Sequence, residues 1–284
     1  MHQSLDAGLY FVSTPIGAAR DITLRGLDIL KTADVLAAED TRNTRHLMDI
    51  HGVKLEGRSL IPYHDHNGSH IRPKLIALIK GGKSVAYVSD AGTPLIADPG
   101  YALARDVITA DLKVIAAPGA SAVLAALAVA GLPTDRFFFA GFLPQKKVAR
   151  RKSLASLANI PGTLVIYESP KRVGKSLSDM VLELGGDRSA AVCRELTKKF
   201  EEVRRGSLAE LQKAYQQETP KGEIVVVIGP APDREISNEM LEDALKVALR
   251  QHNSLRDAVD QVTKDTDLAR KKVYQMALAM EQKR

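Results

Sequence analysis

The stretch VSDAGTPLIADPG, residues 88–100, lies between a run that alternates like a β-strand and a run with helical periodicity. The strand is predicted over 84–89 and the helix over 101–111. A glycine- and proline-rich turn that follows a strand and precedes a helix is a common place for a ligand. The same alternation continues on both sides of the turn, so this stretch decides the fold class.

Over residues 1–118, short apolar strands alternate with helical segments. The strands are predicted at 9–13, 35–38, 59–64, 84–89 and 112–116, and clear helices at 24–32 and 71–80. Strands that alternate with helices favour a mostly parallel sheet covered by helices on its faces. We therefore predict an α/β N-terminal domain over 1–118.

The pattern of predicted strands and helices changes beyond residue 118. A helix over 121–130 is followed by five strand-like runs with only two or three helices between them, which predicts a second α/β domain at 119–232 with a mixed sheet. Two prolines, Pro230 and Pro232, then predict a linker. Residues 237–284 are purely helical, with a break at Thr266, and resemble a helix-turn-helix. The alternative is a helical hairpin that packs on the body or on a twin subunit.

Composition narrows the class of protein. The single cysteine, Cys193, excludes an internal disulfide and stands in an apolar run, so we expect a buried strand residue. No apolar run reaches membrane-spanning length, and the N-terminus lacks a signal-peptide pattern, so a cytoplasmic protein is expected. Aromatic residues make up 5% with no Trp, which argues against base-stacking platforms.

Positive charge is concentrated in two clusters within a net charge of +6. Such clusters favour a polyanion such as nucleic acid, although a solvated helix face is the competing interpretation. The clusters comprise Lys146, Lys147, Arg150, Arg151 and Lys152, and near the C-terminus Arg270, Lys271 and Lys272.

The turn at 88–100 matches neither common nucleotide fingerprint, because the chain contains no G-x-G and no P-loop. Asp90 and Asp98 are negative, whereas a phosphate site favours the reverse charge. Gly92 permits a positive φ and close ligand approach. A ligand with a cation and with hydroxyl and amine donors fits, and S-adenosylmethionine is one. The alternative is a tight turn with solvated aspartates.

A set of motifs extends this pattern over residues 9–230. They read VSTPIG at 12–17, DITLRG at 21–26, AAEDTRNT at 37–44, YHDHN at 63–67, SDAGTPLIADPG at 89–100, APGASA at 117–122, FAGFLP at 139–144, YESPKR at 167–172, CRELTKKFEE at 193–202 and KGEIVVVIG at 221–229. With these motifs the chain resembles the tetrapyrrole methylase superfamily of S-adenosylmethionine-dependent methyltransferases. Within it, the chain is most similar to members that methylate the ribose of small-subunit ribosomal RNA.

The resemblance implies a two-domain fold with the cofactor between the domains, and commonly a homodimer. It places the cofactor at Pro15, Ile16, Asp90, Ala91, Gly92, Thr93, Ile96, Ser121, Ala122, Tyr167, Glu168, Gly222 and Glu223. Tetrapyrrole enzymes carry G-D-P in the main loop, whereas this chain has G-T-P at 92–94. Asp90 is the residue that could replace the missing acid.

The implied reaction is methyl transfer to the ribose 2′-hydroxyl of a cytidine in the decoding centre of 16S rRNA, as free rRNA or in the small subunit. Candidates for the catalytic group are His64, Asp40 and Arg42, and the choice stays open. The RNA is expected to meet Arg42, Arg45, Lys146, Lys147, Arg150, Arg151, Arg172, Arg270, Lys271 and Lys272. The H-x-H spacing of His64 and His66 could suit a metal ion, but we expect none.

Two competing functions remain at this point. One is a methylase of a tetrapyrrole of the precorrin or uroporphyrinogen type, which the AEDTRNT block and the basic helical segment oppose. The other is a non-enzymatic rRNA-binding protein on the same fold. Binding of S-adenosylmethionine at the loop over 89–97 separates this second possibility from an enzyme.

Overall fold

The structure, a computed structural model, describes residues 4–64, 67–97, 99–231, 238–252, 254–266 and 268–281. The chain divides into two compact units, one ending at Ala231 and the other formed by the residues that follow it. Two five-stranded sheets make up the first unit.

The first sheet is entirely parallel, as the sequence predicts. Its strands are β1 (Gly8–Val12), β2 (Val35–Ala38), β3 (Ser59–Pro62), β4 (Ser84–Val88) and β5 (Val114–Ala117), in the order β3-β2-β4-β1-β5. A short 3-10 turn spans Ala19–Asp21. The helices are α1 (Leu24–Thr32), α2 (Thr41–Ile50), α3 (Gly68–Lys80) and α4 (Tyr101–Thr109). Each connection from a strand to its neighbour in the chain therefore runs through a helix.

Helices cover both faces of this sheet, which explains why its central strands are apolar throughout. Side chains of α1 and α2 pack with one face, and side chains of α3 and α4 pack with the other. Every residue of β1 and β4 is buried. Because the strands are parallel, all their carboxyl ends lie at one edge, and the loop over 89–100 leaves from that edge.

The second sheet is mixed, which confirms the prediction of a mixed sheet after residue 118. After α5 (Ala122–Ala130) come β6 (Phe137–Phe142), α6 (Lys147–Leu157), β7 (Thr163–Glu168), α7 (Val173–Leu184), β8 (Ser189–Arg194), β9 (Glu202–Ser207), α8 (Leu208–Gln216) and β10 (Ile224–Ile228). The order is β6-β7-β10-β8-β9, with β6 and β7 parallel and the other pairs antiparallel. α5 packs on one face and α6, α7 and α8 on the other.

Cys193 lies in β8 and is fully buried, as expected from its apolar neighbours. The division of the first unit at residue 118 stays a prediction, because both sheets belong to one compact unit. The first sheet ends at Ala117, and α5 already packs against the second sheet.

The second unit consists, in its described part, of α9 (Asn238–Gln251), α10 (Leu255–Thr266) and α11 (Arg270–Glu281). It has a core of its own, to which all three helices contribute, formed by Leu241, Leu245, Ala248, Ala258, Val259, Val262, Val273 and Ala277. The predicted break falls at the end of α10. No helix in the described residues is long and apolar enough to cross a membrane.

Candidate cofactor cavity

A cavity of about 340 Å³ lies in the first unit, where loops of the parallel sheet meet strand ends of the mixed sheet. Six segments that are far apart in the sequence form its wall. The lining residues are Ile16, Ala91, Gly92, Thr93, Ile96, Ala97, Ser121, Ala122, Phe142, Tyr167, Glu168, Ser169, Pro170, Gly222, Glu223, Ile224 and Val225. The segments at 167–170 and 222–225 adjoin because β7 and β10 are antiparallel.

The loop after β4 reaches the cavity because it is bonded to the loop after β1. Thr14 and Gly92 exchange two backbone hydrogen bonds of 3.0 Å, and the Ser89 hydroxyl donates to the Gly92 carbonyl at 2.9 Å. Gly92 has φ +80°, and a Cβ there would stand 3.3 Å from Cγ2 of Ile16. Glycine is therefore required where the two loops close on each other.

Thr93 links this loop to the segment before α5. Its hydroxyl donates to the Ala120 carbonyl at 3.0 Å, and Oγ of Ser13 lies 3.3 Å away. Leu95 and Ala97 follow with φ of 75° and 61°, a left-handed conformation that is uncommon outside glycine. Strained backbone of this kind clusters at ligand sites, because surrounding contacts must hold it.

The opposite wall contains a buried carboxylate that organises the turn after β7. Glu168 accepts hydrogen bonds from the Ser169 backbone at 2.7 Å, from Nε of Arg172 at 2.9 Å and from the Ser176 hydroxyl. Arg172 also donates to the Leu143 carbonyl at 3.4 Å. This network holds the cavity residues that follow Glu168 in place.

A loop after β8 holds the cavity residue Glu223 in place. Glu195 accepts from the Glu223 backbone at 2.9 Å and from Lys198 at 3.0 Å, and Lys198 also pairs with Glu223 at 3.0 Å. Burial opposes ionisation of Glu195, but the Glu223 N–H and the Lys198 ammonium outweigh it and lower the pKa of that carboxyl. Gly222 has φ +94°, and a Cβ would stand 2.3 Å from the Glu195 carboxyl.

The same loop joins the two sheets. Ala18, in the loop after β1, donates its backbone N–H to the Thr197 hydroxyl at 3.1 Å. A Cβ on Gly17 would stand 2.5 Å from Lys198, and Ile16 packs into the apolar cluster of the second sheet. We call residues 195–201 the clasp, because they contact the β1 loop and the Glu223 edge of the cavity together.

The cavity brings together most of the residues that the resemblance assigned to the cofactor. Pro15 and Asp90 are the exceptions, since neither lines it. Asp90 instead accepts a hydrogen bond of 3.0 Å from the Asp40 backbone. Lining residues that sequence reasoning missed are Ala97, Phe142, Ser169, Pro170, Ile224 and Val225. Most of these residues lie inside or next to motifs quoted in the sequence analysis. Their position beside a motif is therefore the feature of the sequence that could have predicted them.

The three catalytic candidates all lie outside the cavity lining. Asp40 caps α2 and receives Nη2 of Arg42 at 2.6 Å. Hydrogen bonds from Arg42 lower the pKa of Asp40 to about 2, which makes that carboxylate a poor proton acceptor. His64 is half-buried, and its backbone N–H donates to the Asn67 side chain at 2.9 Å.

The residues of the predicted basic cluster at 146–152 lie on different faces of α6, so some are buried and others are exposed. Arg150 was expected on an RNA-binding surface, but it is buried and paired with buried Asp179 at 2.7 Å. The reason is the helical period, since Arg150 shares its face with the buried Leu154 and Leu157. Arg151 pairs with Glu183. The remaining lysines of the cluster, Lys146, Lys147 and Lys152, are exposed.

The other residues predicted to contact RNA are exposed or partly exposed, and three of them form ion pairs. Arg45, Lys271 and Lys272 are exposed, whereas Arg270 pairs with Asp260 at 2.6 Å. Arg172 forms an ion pair with Glu168 in the cavity wall and is only partly exposed. Arg42 is largely exposed but paired with Asp40.

Metal binding was considered for His64 and His66. His66 and its neighbour Asp65 lie outside the described residues. Among those that are described, no group of three or more His, Cys, Asp or Glu side chains is arranged to hold a metal ion.

Comparison with known proteins identifies the class. Residues 8–212 match the family model of the tetrapyrrole (corrin/porphyrin) methylases, and this chain belongs to that family. It is 52% identical over 228 residues to the "Ribosomal RNA small subunit methyltransferase I" of Mesorhizobium japonicum, an alignment covering 80% of this chain and 76% of that protein. A relative of the same name from Synechocystis sp. is 41% identical over 276 residues, covering 96% of this chain and 98% of that protein.

Solved structures share the fold. The methyltransferase CobJ superposes with a TM-score of 0.61 at 18% identity, covering 81% of this chain and 97% of that one. A uroporphyrin-III C-methyl transferase from Thermus thermophilus, solved in complex with S-adenyl homocysteine, gives a TM-score of 0.53 at 19% identity, covering 78% and 96%. These likenesses confirm the predicted tetrapyrrole-methylase-like architecture.

Proposed function

We propose that this chain is an S-adenosylmethionine-dependent methyltransferase that methylates the ribose 2′-hydroxyl of a cytidine in the decoding centre of 16S rRNA. The observation that carries the proposal is the cavity in which most of the predicted cofactor residues come together. The names of the relatives from Mesorhizobium japonicum and Synechocystis sp. support rRNA as the substrate. The likeness to CobJ, at 18% identity, supports the fold and not a tetrapyrrole substrate.

The cavity fits the chemistry of this cofactor. Apolar side chains of Ile16, Ile96 and Ile224 suit an adenine ring, and the small residues Gly92 and Ala122 allow close approach to the backbone. S-adenosylmethionine would supply the electrophilic methyl group. The chain's part is to hold donor and acceptor in line and to keep water out, which accounts for much of the rate in a displacement of this kind.

The 2′-hydroxyl must lose its proton as it attacks, and we assign no side chain to that step. Asp40 is disfavoured by its pKa of about 2 and by its pairing with Arg42. His64, half-buried after β3, lies outside the cavity lining. We propose that Asp40 and Arg42, at the start of α2, act in positioning the RNA.

Further partners belong to the same proposal. The basic residues Lys271 and Lys272 on α11 support RNA contact by the helical unit. Large apolar side chains on the first unit, such as Leu24, Tyr101 and Phe200, support association as a homodimer. We propose that the dimer acts in the cytoplasm on 16S rRNA or on the small subunit.

The test uses the purified chain with methyl-labelled S-adenosylmethionine. Small subunits and free 16S rRNA, both from cells that lack this modification, are offered in parallel, and the product is mapped by mass spectrometry of nuclease fragments. We expect one 2′-O-methylcytidine in the decoding centre. Label in uroporphyrinogen and none in RNA would support a tetrapyrrole methylase instead. Binding of RNA and cofactor without any transfer would indicate a non-enzymatic protein.

A further inference from the structure

Phe142 stands at the mouth of the cavity with its ring largely in solvent. It lines the cavity, yet 58% of its surface is exposed, more than any other large apolar residue of the lining. Its ring lies edge-to-face on Tyr167, with centroids 5.4 Å apart. An exposed aromatic ring beside a ligand cavity indicates a contact surface for something that enters from solvent.

A β-bulge places the ring there. Phe139 and Phe142 are three positions apart, so in a regular strand they would point to opposite faces. The register with β7 shifts between Phe139 and Gly141, and Gly141 has φ +64°. The extra residue brings both rings onto Tyr167, at 4.8 Å and 5.4 Å. The FAGF sequence therefore places two aromatic rings against Tyr167 at the edge of the cavity.

Two arginines hold the segment that follows the ring. Arg172, anchored on buried Glu168, donates to the Leu143 carbonyl at 3.4 Å. Arg150, anchored on buried Asp179, donates to the Gln145 carbonyl at 3.0 Å. The backbone on either side of Pro144 is thus tied to two buried carboxylates, so Phe142 is presented on a fixed support.

Positive charge adjoins the ring. Lys146, the N-cap of α6, and Lys147, its first residue, lie within five positions of Phe142 in the sequence, and both are exposed. Among the described residues neither has an ion-pair partner, whereas Arg150 and Arg151 of the same cluster are paired with α7. The low aromatic content argues against an extended base-stacking surface, but a single platform needs only one exposed ring. An exposed ring followed in the chain by lysines without ion-pair partners fits a single-stranded nucleic-acid site, where bases stack on aromatic rings and phosphates contact cations.

We propose that Phe142 is the stacking platform for the base of the target nucleotide, with Lys146 and Lys147 contacting the adjoining phosphates. The proposal rests on the proposed function and deepens it, since it names a substrate-positioning residue. A nucleotide that leaves its stack to place its ribose in the cavity loses base stacking, which costs free energy. Phe142 replaces the lost stacking at the mouth while the ribose enters.

The test compares Phe142→Leu with Phe142→Tyr and with a matched control, Phe138→Leu, which alters an exposed ring of β6 outside the cavity lining. Phe142→Leu should lower kcat/KM for the RNA substrate on the order of tenfold, with affinity for S-adenosylhomocysteine nearly unchanged by calorimetry. Phe142→Tyr should restore the rate, and Phe138→Leu should leave it unchanged. Lys146→Ala with Lys147→Ala should mainly raise KM.

Three outcomes would overturn the proposal. Activity of Phe142→Leu equal to that of Phe138→Leu would show that the ring has no role. An equal loss of affinity for S-adenosylhomocysteine would place the ring against the cofactor. A change of mass by light scattering, with dimers lost, would assign the surface to a second copy of the chain.

A binding measurement separates this inference from the proposed function. A decoding-centre RNA carries a fluorescent cytidine analogue at the target position, and its emission reports stacking on protein without any methyl transfer. Emission should change with the unaltered protein and with Phe142→Tyr but not with Phe142→Leu. If that holds while no methyl is transferred, the proposed function fails and the platform stands. Identical emission with Phe142→Leu would refute the platform even in an active enzyme.

Discussion

At the scale of single residues, the cavity depends on glycines placed where two chain segments touch. Gly92 and Gly222 both have positive φ, and a Cβ at either would meet a neighbouring loop. The clash at Gly222 is with the Glu195 carboxyl, whereas that at Gly92 is a tight contact with Ile16. Both the lack of room for a Cβ and the positive φ therefore favour glycine at these two positions, and a substitution there tests both effects.

Gly222→Ala should cost cofactor affinity as well as stability. Its φ of 94° strains an alanine, and the new Cβ would displace Glu195 from the Glu223 N–H. We expect affinity for S-adenosylhomocysteine to fall on the order of tenfold. Gly185→Ala is the matched control, since Gly185 has φ 96° with nothing within 4 Å of its Cβ. Both variants should lose about 1 kcal/mol of stability or more, and equal affinities would contradict the role given to Glu195.

Asp90→Ala should change cofactor affinity by less than about threefold, because the carboxylate bonds the Asp40 backbone and does not line the cavity. Thr93→Val is the comparison, since it removes the hydroxyl that donates to Ala120. Calorimetric titration with S-adenosylhomocysteine measures both. A loss in Asp90→Ala as large as in Thr93→Val would restore Asp90 as the substitute for the missing acid.

Cys193 makes the free energy of unfolding depend on alkaline pH. Burial raises the pKa of its thiol from 9.0 to about 11. The folded state therefore holds the proton more tightly, so the contribution is complete below pH 9 and is lost between pH 9 and 11. Denaturant unfolding should show the advantage of the natural chain over Cys193→Ala shrinking across that window. A constant difference from pH 8 to 11 would contradict it.

At the scale of elements, the basic residues of α6 lie in different environments according to the face of the helix on which they stand. The helical period turns Arg150 inward with Leu154 and Leu157, while the lysines before it stay exposed. A carboxylate on α7 meets the buried guanidinium, so the pair joins two helices and supports the rim of the cavity.

Arg150→Ala should cost about 3–5 kcal/mol of stability, because it leaves the Asp179 carboxylate buried without its partner. Arg151→Ala, which removes the more exposed pair with Glu183, should cost less than about 1 kcal/mol. Chemical denaturation at neutral pH measures both. The double variant Arg150→Met with Asp179→Leu should recover most of the loss, and a large loss in it would contradict the buried-charge explanation.

At the scale of the whole molecule, the chain consists of a unit with two sheets and a helical unit that has its own core. The clasp contacts the β1 loop through Thr197 and the cavity edge through Glu195, which joins the two sheets around the cavity. The helical unit has its own core and carries exposed Lys271 and Lys272.

A chain that ends at Ala231 should keep the cavity and lose RNA affinity. The unit up to Ala231 is compact by itself, so affinity for S-adenosylhomocysteine should stay within about twofold, since every cavity residue remains. RNA affinity should fall tenfold or more, a typical order for the loss of several phosphate contacts. The full chain with Lys271→Ala and Lys272→Ala should show part of this loss. Equal RNA affinity in the truncated and full chains would contradict an RNA-binding role.

Much of the fold was determined by local pattern. Alternation of buried strands and amphipathic helices predicted the parallel sheet, and β2 and α1 begin and end at the predicted residues. The motifs predicted most of the cavity, because a motif places its residues at one end of one strand. The resemblance to the tetrapyrrole methylases assigned cofactor segments from the sequence, and most of these segments line the cavity.

Tertiary structure alone decided which side chains meet. Residues far apart in sequence, such as Gly222 and Glu195, come together only when β10 pairs with β8. Burial of Arg150 depends on a carboxylate in another helix, and the position of Phe142 depends on a bulge in the pairing of β6 with β7. Periodicity specifies which face a residue takes, but the partner on that face is set by packing between elements. The loop after β4 is positioned in the same way, since hydrogen bonds from Gly92 and Thr93 to Thr14 and Ala120 hold its backbone at the cavity.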